Sequence, residues 1–190
     1  MAYPDFRRTG EWILGHGFHW DRTFLESFIR PGRDPKSWIN RNNMTSTGVM
    51  ETGEDEISLY VLRNYKSPSI HMERMTLRTD GFASLRARYS GGEVLTKPLK
   101  FEGSNLVLNF ATSAAGSIRL EIQDANGNPL PGFALEESPL IFGDEIEHTV
   151  RWERTHAKAA SDKPLARIAG KPVRLRFALK DADLYSLRFK

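Results

Sequence analysis

"AGKPVRLRFALKDADLYSLRFK", residues 169–190, decides the fold. Val173, Leu175, Phe177 and Leu179 fall on one face of an extended chain, and Arg174, Arg176 and Lys180 on the other. Apolar and polar residues alternating with a period of two mark a strand buried on one side. "LYSLRF" (184–189) repeats the device: Leu184, Ser186 and Arg188 lie on one side, and Tyr185, Leu187 and Phe189 on the other. "DAD" (181–183) separates the runs and is short enough for a hairpin turn. Burying one apolar face of such a pair stabilises by several kcal/mol, at about 25 cal/mol per Å². The stretch reads as a closing hairpin.

The same period runs back through the chain. "FASLRARY" (82–89), "VLTKPLKFEG" (94–103), "SNLVLNFAT" (104–112), "SIRLEIQD" (117–124), "FALEES" (133–138) and "HTVRWE" (148–153) each read as a strand bounded by turn residues. "DANGN" (124–128) is the strongest hairpin signal, because Asn-Gly supplies the positive φ of a type I′ turn. Upstream, "GVM", "ISLYVLRNY" (57–65) and "IHMERMTLR" (70–78) form a three-stranded antiparallel meander. Two short helical segments are expected. One is "RTFLESFIR" (22–30); the other is "SDKPLARIAG" (161–170), with Ser161 or Asp162 as N-cap, Pro164 in its first turn and Gly170 past its end. The expected fold is all-β: an antiparallel, jelly-roll-like β-sandwich over 81–190, preceded by a meander segment over 1–80.

Composition narrows the function. The chain of 190 residues has no cysteine, which excludes disulfides, thiolate catalysis and Cys-based zinc sites. Its formal charge is only +3 and acids are interleaved with bases, so a nucleic-acid partner is not expected. No run nears the ~20 apolar residues that span a bilayer, and "MAYPDFRRTGEW" has no apolar leader region, so neither a membrane partner nor a signal peptide is expected.

The stretch 76–133, "TLRTDGFASLRARYSGGEVLTKPLKFEGSNLVLNFATSAAGSIRLEIQDANGNPLPGF", resembles the closing part of bacterial proteins related to the five-bladed β-propeller glycosidases, the invertase/levanase and arabinanase/xylosidase-like clan. "IFGDEIEHTVRW" (141–152) and "AGKPVRLRFALKDADLYSLRF" (169–189) resemble it as well. "GHGFHWDRT" (15–23) is similar to a D-G-x-H-W element of propeller blades, with His16 in place of the Asp, and 38–82 resembles a last blade. The resemblance is closest over 75–190. It implies a partial propeller blade followed by a C-terminal sandwich, a polysaccharide or oligosaccharide partner, and an extracellular or periplasmic location if the chain belongs to an exported glycosidase. It carries over no catalytic residue, because the clan's catalytic carboxylates come mostly from earlier blades.

The expected function is therefore a non-catalytic carbohydrate-associated module that binds glycan or supports a propeller. Sugar sites combine aromatic faces with polar groups that grip hydroxyls, and Trp20, Trp38, Tyr65, Tyr89 and Trp152 are the candidates. Asp144, Glu145, Asp181 and Asp183 are oxygen donors near strand ends and form a candidate structural calcium set. "DANGN" offers oxygen ligands at alternate positions, but lacks the closing bidentate Glu. Two alternatives stand beside this. One is a compact glycoside hydrolase using Glu54, Asp55, Glu56 or Glu73; the other is a metal protein using His16, His19 and His71. Strand edges exposed by an incomplete propeller would favour a homodimer.

Overall fold

The computed structural model describes residues 28–38, 44–152 and 165–190, and the backbone alone of 12–15, 19–22 and 164. The chain is all-β and divides into two compact units, Met1–Ala83 and Ser84–Lys190. The expected helix over 22–30 and the N-cap residues Ser161 and Asp162 fall mainly outside the described residues. Among the described residues no helix is long and apolar enough to cross a membrane.

In the first unit β1 (Trp12–Gly15) and β2 (His19–Arg22) form an antiparallel pair. A 3-10 turn at Pro35–Trp38 precedes β3 (Met44–Thr45), β4 (Met50–Gly53), β5 (Glu56–Arg63) and β6 (His71–Arg78). β4, β5 and β6 make the meander that their alternation predicts, and β3 shares with β4 the edge of β5 opposite β6. Ile57, Leu59 and Val61 are buried along one face of β5.

The second unit is built from very long strands. β7 (Leu85–Ala87) and β8 (Gly92–Leu95) precede β9, which runs unbroken from Leu106 to Asp124; β10 (Asp144–Thr149) and β11 (Val173–Phe189) complete the sheet. β9 and β11 pair antiparallel along almost their whole length, from Val173↔Asp124 to Phe189↔Leu106. β7 and β8 line one edge of β11 in succession, joined by a turn in which Arg88 O accepts from both Gly91 N and Asp181 N. β10 lines the Val107–Ala111 half of β9, and the 129–141 segment lines the other half through bridges at Pro129 and Ile141.

This ribbon is bent at its middle. Lys180 pairs with Ser117 and Ala182 with Thr112, so one residue of β11 faces four of β9. Asp181 takes up the corner at φ 42°, and Gly116 packs against its carbonyl. Such an irregularity bends a strand and sharpens its twist. The two halves then share one core, Leu106, Leu108 and Phe110 with Ile118, Leu120, Ile122, Leu175, Phe177, Leu179 and Leu184. The sandwich is a single antiparallel sheet folded across its bend.

Several expectations are corrected. "DAD" is no hairpin turn: 173–180 and 184–189 are one strand, as are 106–112 and 117–124. A second extra residue between Leu184 and Ser186 shifts the side-chain alternation, so Leu187 and Phe189 join Leu184 against the core. "FALEES" holds a 3-10 turn, Leu135–Glu137, instead of a strand. The "DANGN" turn keeps only Gly127 at positive φ (94°), with Gly127 N bonding Asp124 O and Asp124 N bonding Asn128 O. It is therefore a three-residue loop closed by a left-handed glycine, not a type I′ turn. The second expected helix is a 3-10 turn, Pro164–Arg167, followed by Gly170 at φ 76°.

Candidate functional site

The outer face of the 117–124 half of the sheet carries the most elaborate polar cluster. Strand register dictates it. Arg176 lies between Glu121 on β9 and Leu95 on β8, and Ala178 lies between Arg119 and Glu93. Directly opposed residues project to the same side, so Arg119, Glu121, Gln123, Arg174, Arg176, Lys180 and Glu93 share this face. Arg176 grips Glu93 with a two-pronged bond, Nη2 to Oε1 at 2.8 Å and Nε to Oε2 at 3.1 Å, and reaches Glu121 Oε1 with Nη1 at 3.5 Å. Hydrogen bonding to Glu93, outweighing the desolvation that opposes it, raises the guanidinium pKa above its already high ordinary value.

Glu121 is almost fully buried although it points outward. The 133–138 segment explains this. Ile122 N donates to Phe133 O and Leu120 N to Ser138 Oγ, which lays the segment beside β9. Leu135 N then donates to Glu121 Oε2 at 3.2 Å, and Gln123 Nε2 donates to its Oε1 at 2.6 Å. A buried carboxylate is tolerable only when so paired. Here it fixes the position of the Arg176 guanidinium on a rigid sheet.

Tyr89 stands at the end of this row. The bond from Asp181 N to Arg88 O ties its turn to the bend, and Lys180 Nζ lies 4.3 Å from the ring centroid. Tyr89 is 63% exposed, which makes it the one surface aromatic among the candidates of this unit. Trp152 instead packs edge-on to Phe133 at 5.2 Å against the core.

In the first unit Trp38 is exposed, with Nε1 bonded to Gly32 O, and Tyr65 sits between Asn64 and Lys66, both at positive φ. Ser37 Oγ bonds Asn64 Oδ1 at 3.4 Å, linking the two aromatic-bearing turns. The side chain of Trp20 lies outside the described residues.

The other candidate residues do not converge. Asp144 and Asp183 share a row with Ala111 between them, whereas Glu145, next in sequence to Asp144, points to the opposite face and bonds His148. Asp183 accepts from Ser84 Oγ at 2.6 Å, and Asp181 occupies the bend. No group of three or more His, Asp or Glu among the described residues is placed to hold a metal. His16 and the side chain of His19 lie outside those residues, and His71 Nδ1 contacts Ser69 O. Both oxygens of Asp124 are used within the turn, bonded from Asn126 N, Asn128 N and Asn128 Nδ2. Glu54 and Asp55 form the β4–β5 turn. Glu56 and Glu73 project from opposite faces of the sheet, paired with Arg74 and Arg63.

The alternating charges of "SIRLEIQD" and "VRLRFALK" contain the Glu121–Arg176 pairing, but only the register of strands fifty residues apart brings it out. Comparison with protein-family models, curated proteins and solved structures finds no match to this chain.

Proposed function

We propose that the chain is a non-catalytic carbohydrate-binding β-sandwich module whose ligand lies on the outer sheet face beside Tyr89. The observation that carries this is the exposed Tyr89 residue at the end of a row whose accessible polar groups, Glu93 and Arg176, are held in place by the buried Glu121 and Gln123 beneath them. An apolar ring face with a few positioned polar groups is the chemistry that recognises a pyranose, whose C–H surface stacks while its hydroxyls donate and accept. The open sheet face suits an extended chain more than an enclosed monosaccharide. Glycoside cleavage needs two carboxyls flanking one bond. Glu56 and Glu73 are on opposite faces, and Glu93 and Glu121 are both committed to Arg176, which favours binding over hydrolysis. The resemblance of 75–190 to the closing part of propeller glycosidases is the sequence's support for a carbohydrate partner.

Native affinity electrophoresis in gels containing soluble polysaccharides tests the proposal. Retardation by at least one polymer is expected, and Tyr89→Ala should weaken it about fivefold, as loss of a stacking contact of ~1 kcal/mol requires. Unchanged mobility on every polymer would refute it.

A further inference from the structure

We infer that the glycan recognised by this face is anionic, a polymer carrying carboxylate or sulfate groups on its sugar rings; the inference rests on the binding reading above. On the paired strands of this face Arg119, Arg174, Arg176 and Lys180 meet two carboxylates, Glu93 and Glu121, a surplus of two positive charges along the strands, with Glu136 and Glu137 on the 3-10 turn at the edge beside Glu121. Both carboxylates are taken by Arg176. Arg119, Arg174 and Lys180 make no ion pair with any described residue, and Arg174 Nε is buried there without a hydrogen-bond acceptor. Lys180 has only the Tyr89 ring. A guanidinium offers a planar fork that matches a carboxylate or sulfate edge. Arg119 and Arg174 sit on adjacent strands either side of the Glu121–Arg176 pair, so the free cations flank the row along which a chain would lie.

The same face argues against a nucleic acid. A phosphodiester backbone has acceptors but almost no donors, so it cannot use the exposed carboxylate of Glu93, whereas a sugar hydroxyl can donate to it. One side of the Tyr89 ring is also taken by Lys180, which leaves no aromatic pair on which successive bases could stack.

The test compares polymers that differ only in charge. The full chain is run against polygalacturonate and its fully methyl-esterified form, and against dextran sulfate and plain dextran. Polygalacturonate or dextran sulfate should retard the protein at least tenfold more strongly than its uncharged counterpart, and the pair that does so identifies the anion. Raising salt from 50 to 500 mM should lower that affinity about tenfold or more, as release of counterions from two neutralised charges demands. The double change Arg119→Gln, Arg174→Gln should remove most of the salt-dependent part, with folding checked by circular dichroism. Equal retardation by the charged and uncharged partners would overturn the anionic reading and leave glycan binding standing. Retardation by none of the four would overturn the anionic reading, and retardation by no polymer of the wider set would overturn glycan binding with it. Tighter binding to single-stranded DNA than to either polyanionic glycan would also overturn the inference.

Discussion

Gly116 is the position at which a single methyl group should do the most damage. A Cβ there would lie 2.3 Å from Asp181 O, 2.9 Å from Lys180 O and 3.0 Å from Ser113 N. All three are backbone atoms, so no side chain can swing aside. Restoring ordinary contact at about 3.5 Å requires the β9–β11 bend to open by about 1 Å. Overpacking of this kind costs ~3 kcal/mol. Replacing glycine by alanine also restricts the unfolded chain and stabilises by ~0.4–1 kcal/mol where the site allows it; the steric cost exceeds that gain. Gly116→Ala should therefore destabilise the second unit by about 2–3 kcal/mol net. For a unit of this size that lowers the melting temperature by roughly 10–20 °C, at about 4–8 °C per kcal/mol. Thermal and urea melts followed by circular dichroism measure it, with Ala114→Ser as the exposed neighbour expected to stay within ~0.5 kcal/mol. A Gly116→Ala protein melting within about 2 °C of wild type would refute the closed bend.

Two further outcomes follow from the same hydrogen bonds. Arg176→Met leaves Glu121 buried without its cationic partner, and should cost about 1–3 kcal/mol in urea denaturation at pH 7; a loss below ~0.5 kcal/mol would contradict the pairing. Asp124 is held below its ordinary pKa of 3.8 chiefly by the Asn128 backbone N–H, with the Asn128 side chain adding to it. A lowered folded-state pKa means its stabilisation is complete above the unfolded value and fades as pH falls through and below 3.8. The melting-temperature gap between wild type and Asp124→Ala should thus be constant from pH 7 to 5 and shrink towards pH 3; a gap that widened on acidification would contradict it.

The alternation in the sequence carried the strand content, the buried face of 173–179 and the meander of the first unit. It could not carry strand continuity. "DAD" and "SAAG" look like turns because the period breaks there. In the fold those breaks face one another, and a bulge on one strand matches a corner on the other. That match depends on pairing between segments about sixty residues apart, which no local pattern encodes. The same holds for Leu187 and Phe189, whose side was misassigned by the one residue inserted after Leu184. Tyr89, on the proposed face, is among the aromatic residues that the sequence offers. Glu93, Glu121 and Gln123 are not legible there, because only the register assembles them around Arg176.

The most direct test of the outer face as a glycan site is a ¹H–¹⁵N correlation titration of the full chain with trigalacturonate and with a sulfated dextran oligosaccharide. Shifts concentrated on 89–95, 117–123 and 174–180 with one of them, saturating together, are the expected result. Shifts centred elsewhere, or none with either at millimolar ligand, would contradict the account.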